Sequence, residues 1–189
     1  MKIKKLTLGI VAHADAGKTT LSEAMLFNAK VIRKLGKVDD KNTALDTDAV
    51  EKRRGITIYS REARLERNGV LLQFIDTPGH VDFGAEMERV LPVLDAAVLV
   101  ISGISGVENH TRTLWKLLRY YNIPAFIFVN KMDIARESRE TLFEKLKGEL
   151  SENLIDFSQE KTQIEEELAF CDDELFSLYT EKNQMPEGG

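Results

Sequence analysis

Short apolar runs alternate along the chain with segments whose apolar residues recur at helical spacing. Lys4 to Val11 reads as a strand, and Lys18 to Lys30 as a helix with Leu21, Met25 and Leu26 on one face. Ile56 to Arg67 alternates as a half-exposed strand. Asn68-Gly69 is a hairpin turn, and Val70 to Ile75 is the more buried returning strand. Asp82 to Leu91 fits a helix. Ala96 to Ile101 is apolar throughout, as a fully buried strand would be, and Thr111 to Tyr121 is a helix carrying Leu114, Leu117 and Leu118. Pro124 to Val129 is read as another buried strand, with Phe126, Phe128 and Trp115 assigned to the core. Ser138 to Leu150 is an amphipathic helix. Buried strands separated by helices predict an α/β fold, with a mostly parallel sheet and helices on both faces. Residues 31–55 are polar and aperiodic. A loop that long inside a compact domain is uncommon and is often functional.

Charge divides the chain in two. Residues 1–148 hold 24 basic and 19 acidic residues, whereas residues 149–189 hold 2 and 12. We therefore expect a core domain over 1–150 and an acidic helical insertion over 151–189, with helices near 161–170 and 173–182. The formal net charge of −5 over 189 residues argues against a general nucleic-acid binder. A single cysteine, Cys171, read as partly buried, excludes an internal disulfide and a cysteine-based zinc cluster. The basic, then apolar, N-terminus is read as a buried first strand rather than a signal peptide, because Thr7 and Gly9 interrupt its short apolar run. No apolar stretch approaches the ~20 residues that span a bilayer. The expected compartment is the cytoplasm, with no membrane partner.

Four segments carry candidate chemistry. The first is Ala12-His13-Ala14-Asp15-Ala16-Gly17-Lys18-Thr19-Thr20, set between a strand and a helix. Its backbone N–H groups would converge on phosphate oxygens, Lys18 would reach the β- and γ-phosphates, and the Thr19 hydroxyl would ligate Mg²⁺. His13 is read as a structural or exposed loop residue, and Asp15 as the acceptor of a loop hydrogen bond or a ligand of a monovalent cation. The second is Asp76-Thr77-Pro78-Gly79-His80, at the end of an apolar strand. Asp76 could hold Mg²⁺ through a water, Gly79 could approach a γ-phosphate, and His80 could position the attacking water. Taken alone it is equally an ordinary turn. The third is Asn130-Lys131-Met132-Asp133, after another strand. Asp133 can accept hydrogen bonds from N1–H and the exocyclic amine of guanine, which adenine does not offer. Asn130 would brace that pocket, and the Lys131 stem would lie along the ring. The fourth is Arg54-Gly55-Ile56-Thr57-Ile58, where Thr57 could swing in to ligate Mg²⁺ and meet the γ-phosphate. Alone it is merely the start of a strand. In this order, each at a strand edge, the four imply GTP binding.

Together, AHADAGKTT, RGITI, DTPGHVDF and NKMD resemble the translational GTPases of the elongation factor G type, and within them the ribosomal protection tetracycline-resistance group. VLDAAVLVISGISGVENHTRTLW and YNIPAFIFVNKMD are also similar to that group. The resemblance covers residues 4–150 and implies a P-loop GTPase domain binding GTP and GDP with Mg²⁺. Lys18 and Thr19 would bind phosphate and metal, Thr57 would be the switch I threonine, and Gly79 and His80 would belong to switch II. His80 would act in hydrolysis when the ribosome orders it. The family's fifth guanine motif, in a loop after one more strand, is not found before Gly189. On this reading the domain's final strand and helix are missing, a sheet edge is left uncovered, and the chain is a monomeric piece of a longer product that meets the ribosome. Elongation factor G and a type-3 peptide release factor share the four motifs. A non-catalytic nucleotide-binding fragment is the alternative from another class.

Overall fold

The computed structural model describes residues 4–30, 32, 61–67, 69–77, 84–171 and 173–184. The chain divides into two compact units, residues 1–142 and 143–189.

The first unit is built on a five-stranded sheet in the order β2-β3-β1-β4-β5. The strands are β1 (Lys4–Ala12), β2 (Arg61–Arg67), β3 (Val70–Asp76), β4 (Ala96–Ser102) and β5 (Ala125–Asn130). β1 lies parallel to β3 and β4, and β4 lies parallel to β5, while β2 returns antiparallel on β3 as the hairpin reading requires. The register decides where function can gather. Ile10 stands opposite Asp76, Ala12 opposite Val100, and Ser102 opposite Asn130. The C-terminal ends of all four parallel strands therefore lie along one edge, the place where ligands bind in open α/β sheets.

Both faces of the central strands are covered. Ile10, Ala12, Ala16, Phe74 and Val100 form one cluster, against which Leu21 and Met25 of α1 (Lys18–Asn28) pack. Val11, Leu99 and Ile101 alternate to the opposite side and are equally buried. α3 (Asn109–Tyr120) packs with β1 and β4 and buries Leu114 and Leu118. Each such side chain contributes roughly 1.5–3 kcal/mol of burial free energy. At Gly9 a Cβ would meet the Leu94 side chain, so Leu94 packs over β1 in the space that glycine leaves. α2 (Gly84–Val90) gives way to a 3₁₀ turn over Leu91–Val93, where Pro92 has no N–H to continue the ladder.

β5 departs from expectation. Among the described residues it pairs with β4 alone, and it alternates instead of being buried throughout. Phe126 and Phe128 are 51% and 42% exposed rather than core. An apolar run marks a strand, but it does not distinguish the middle of a sheet from its edge. Residues 56–60, expected to begin β2, and Asn68 of the hairpin turn lie outside the described residues.

The unit boundary falls within α4 (Arg139–Glu149). In the second unit α5 (Lys161–Ala169) packs on α6 (Asp173–Gln184). The Phe170 and Phe176 rings lie 6.0 Å apart, and the Tyr179 hydroxyl donates to Glu166 Oε1 at 3.0 Å. Cys171 is exposed, not partly buried. No helix among the described residues is long and apolar enough to cross a membrane.

Candidate nucleotide-binding site

Residues 13–17 link the end of β1 to the start of α1. Ala12, His13 and Ala16 are buried, while Ala14 and Asp15 are exposed. Gly17 is the N-cap of α1 at φ 92°, a region that L side chains rarely adopt. Among the described residues no side chain caps this helix, and no acidic residue sits in its first turn. The first-turn N–H groups and the positive end of the helix dipole are thus left to an external anion.

Lys18 and Asp76 meet at this helix start. Lys18 Nζ donates to Asp76 Oδ1 at 2.7 Å, and both side chains are buried. Ser22 Oγ lies 3.3 Å from the same carboxylate oxygen and 3.1 Å from the Lys18 carbonyl. Asp76, from the end of β3, is therefore held against the first turns of α1. The next residue fixes the exit from β3, since Thr77 Oγ1 donates to the Ile10 carbonyl at 2.7 Å. Pro78, Gly79 and His80 lie outside the described residues, as does Thr57.

The loop after β5 is strapped to the phosphate loop. Asn130 Nδ2 donates to the Ala16 carbonyl at 3.0 Å, and Lys131 Nζ donates to the Asp15 carbonyl at 2.7 Å. A Cβ at Gly17 would run into the Asn130 amide. Asp15 takes part here through its main-chain carbonyl, whereas both readings of this residue concern its carboxylate. Asp15 and Lys131 both take positive φ, near 60°. The loop after β4 joins the same cluster, because the Gly103 N–H donates to the Asn130 carbonyl at 2.7 Å. Asp133 is exposed at this edge.

Of the two readings of His13, structural or exposed, burial favours the structural one: the ring is buried, and Nε2 accepts the Ser102 N–H at 3.3 Å. Nδ1 lies 3.0 Å from Glu108 Oε1, within ion-pair distance but without the alignment of a hydrogen bond. Burial pushes the His13 pKa below the ordinary 6.5, against an opposing pull from Glu108. Glu108 is the N-cap of α3, in a reciprocal capping box with Thr111. Sequence reading named neither Ser102 nor Glu108. The spacing of Glu108 and Thr111 before an amphipathic helix was the available signal for the cap, although not for its histidine partner.

Comparison with known proteins shows the family of the chain. Residues 4–183 match the family described as the elongation factor Tu GTP binding domain. The tetracycline resistance protein TetP of Clostridium perfringens is 45% identical over 152 residues, 80% of this chain and 23% of the relative. TetS of Listeria monocytogenes is 42% identical over 153 residues, 81% of this chain and 24% of the relative. This chain therefore spans about a quarter of the length of these relatives. A solved structure from Thermus thermophilus superposes with a TM-score of 0.72 at 30% identity, covering 76% of this chain and 22% of the other.

Proposed function

The chain belongs to the elongation factor Tu GTP-binding domain family, and from that premise we propose that it is the GTP-binding and GTP-hydrolysing part of a cytoplasmic translational GTPase of the ribosomal protection, tetracycline-resistance type. The observation that carries the reading is the pair of straps from Asn130 and Lys131 to the phosphate loop, beside the Lys18–Asp76 contact. They bring residues 13–20, the Asp76 carboxylate and residues 130–131 to one edge of a parallel sheet, which supports reading these as the phosphate, metal and guanine sides of one site.

In this proposal Lys18 exchanges Asp76 for the β- and γ-phosphates, and the N–H groups of residues 14–19 bind the remaining oxygens. Mg²⁺ fits the donors present. The Thr19 hydroxyl and the Asp76 carboxylate are hard oxygen ligands, and Asp76 is held against the helix that carries Thr19. When bound, the ion would neutralise charge on the transferring phosphoryl group. Thr57 would join it as the third protein ligand, Thr20, Thr77, Pro78 and Gly79 would line the phosphate side, and His80 would orient the attacking water. Hydrolysis yields GDP and phosphate. Asp133 would read guanine through two hydrogen bonds. A site whose polar groups need those donors can reject an analogue lacking them by about 10⁴.

Calorimetric titration with Mg·GTP, Mg·GDP and Mg·ATP tests the reading, with guanine-selective binding expected. Asp133→Asn is expected to lower the GTP-over-ATP preference by at least about 100-fold, and unchanged selectivity would remove Asp133 from base reading. The names of the relatives favour the tetracycline-resistance type over an elongation factor G or a release factor. Ribosome-stimulated hydrolysis by the full-length product, with and without tetracycline on the ribosome, separates these. The same assay with His80→Ala separates a catalyst from a binding module.

A further inference from the structure

Among the described residues, the buried histidine at the start of the phosphate loop is, with Glu23, a buried titratable group that the nucleotide chemistry leaves unused. We propose that His13 is a positioning residue of the phosphate loop, its neutral imidazole tying the loop to the end of β4 and the start of α3, and that protonation of this ring loosens nucleotide binding. The proposal rests on the nucleotide-site reading above and adds a control to it.

The argument begins with the proton count. The Ser102 N–H points at Nε2, which can accept it only when Nε2 carries no hydrogen. The single proton of the neutral ring therefore sits on Nδ1, facing Glu108. This tautomer accepts the Ser102 N–H and turns the Nδ1 proton toward the Glu108 carboxylate, at ion-pair distance and without a hydrogen bond's alignment. One neighbour closes β4, whose register partner at that level is Asn130, and the other caps α3. The ring thus ties the phosphate loop to the same strand end to which Asn130 is registered.

A second proton reverses one of these contacts. Nε2–H would then confront the Ser102 N–H, donor against donor, at a buried point. The new charge would attract Glu108, but that carboxylate is 45% exposed and water screens the gain. The other charged groups near the ring oppose each other: Asp15 favours the charged ring, and Lys131 disfavours it. Loss therefore dominates. The loop's hold on β4 is present above the ordinary histidine pKa of 6.5 and is lost as pH falls through the lower folded value. His13 lies outside the proposed metal ligands Thr19, Thr57 and Asp76, and its contacts with Ser102 and Glu108 involve none of them.

The experiment measures Mg·GTP affinity of the whole chain at pH 5.5 and 7.5, and follows the His13 imidazole by NMR titration. Wild type is expected to bind about fivefold more weakly at pH 5.5, the loss of about one net hydrogen bond. His13→Ala should bind about tenfold more weakly than wild type at pH 7.5. His13→Gln keeps an acceptor for Ser102 and cannot take a proton. It should restore most of the loss seen with His13→Ala and should show a flatter pH profile than wild type, which cancels titration of the nucleotide itself. Glu108→Gln should move the imidazole titration further down. Parallel pH profiles for wild type and His13→Gln would overturn the proposal, as would an imidazole titrating at or above 6.5. A general packing role would lower the melting temperature of His13→Gln without flattening its profile. If no nucleotide binds at any pH, the nucleotide reading fails, while the imidazole titration and the pH dependence of melting still decide whether the ring is the neutral strut described.

Discussion

Lys18 has two anionic partners to choose between, a carboxylate of its own chain and the phosphates proposed as its ligand. The Asp76 contact, 2.7 Å and buried, keeps the ammonium in place before any phosphate arrives. Replacing it leaves a buried carboxylate without its cation, which costs far more than the pair itself contributes. Lys18→Ala is expected to lose triphosphate binding in calorimetry and to lower unfolding free energy by about 3 kcal/mol in urea denaturation. A variant that loses binding but keeps its stability would mean that the Asp76 contact is incidental. The lysine and the carboxylate were both legible as candidates, because each follows an apolar strand. Their direct contact was not, since it joins residues 58 apart.

At the level of elements, the chain's pattern of apolar runs marked all the described strands and most helices, because buried strands and one-sided helices have distinct periods. It failed where burial depends on what lies next door. β5 has the composition of a central strand yet sits at the edge, with Phe126 and Phe128 half exposed. Helix α1 was expected to run to Lys30, but that residue takes φ 59° and the helical run ends at Asn28. Left-handed lysine is not a pattern that spacing reveals. The junction of β1 with α1 has its own test. Gly17→Ala would force a Cβ into φ 92° and against the Asn130 amide. We expect a stability loss of about 1–2 kcal/mol from the backbone, with a fall in guanine-nucleotide affinity measured by calorimetry. Unimpaired binding would show that the loop re-forms without glycine.

Across the whole molecule, chemistry and charge are segregated. Every proposed nucleotide contact lies between residues 12 and 133, while the run from 149 to 189 holds 12 of the 31 acidic residues. A chain ending after residue 150 retains α4 and all of the described site residues. It is expected to bind Mg·GTP within about threefold of the longer chain, because the removed residues supply none of the proposed nucleotide contacts and salt screens exposed charges. A loss above tenfold would assign the acidic segment a part in the pocket. The straps between the two loops also say something about how the molecule can drift over generations. Their acceptors are main-chain carbonyls of Asp15 and Ala16, which every residue type supplies, whereas their donors are the particular side chains of Asn130 and Lys131. Substitution is therefore asymmetric. Exposed Asp15 can become asparagine or glycine, both at ease at its positive φ, without loosening the strap. No change at position 130 or 131 is so free. Variation should collect on the phosphate side of the seam and be purged from the guanine side.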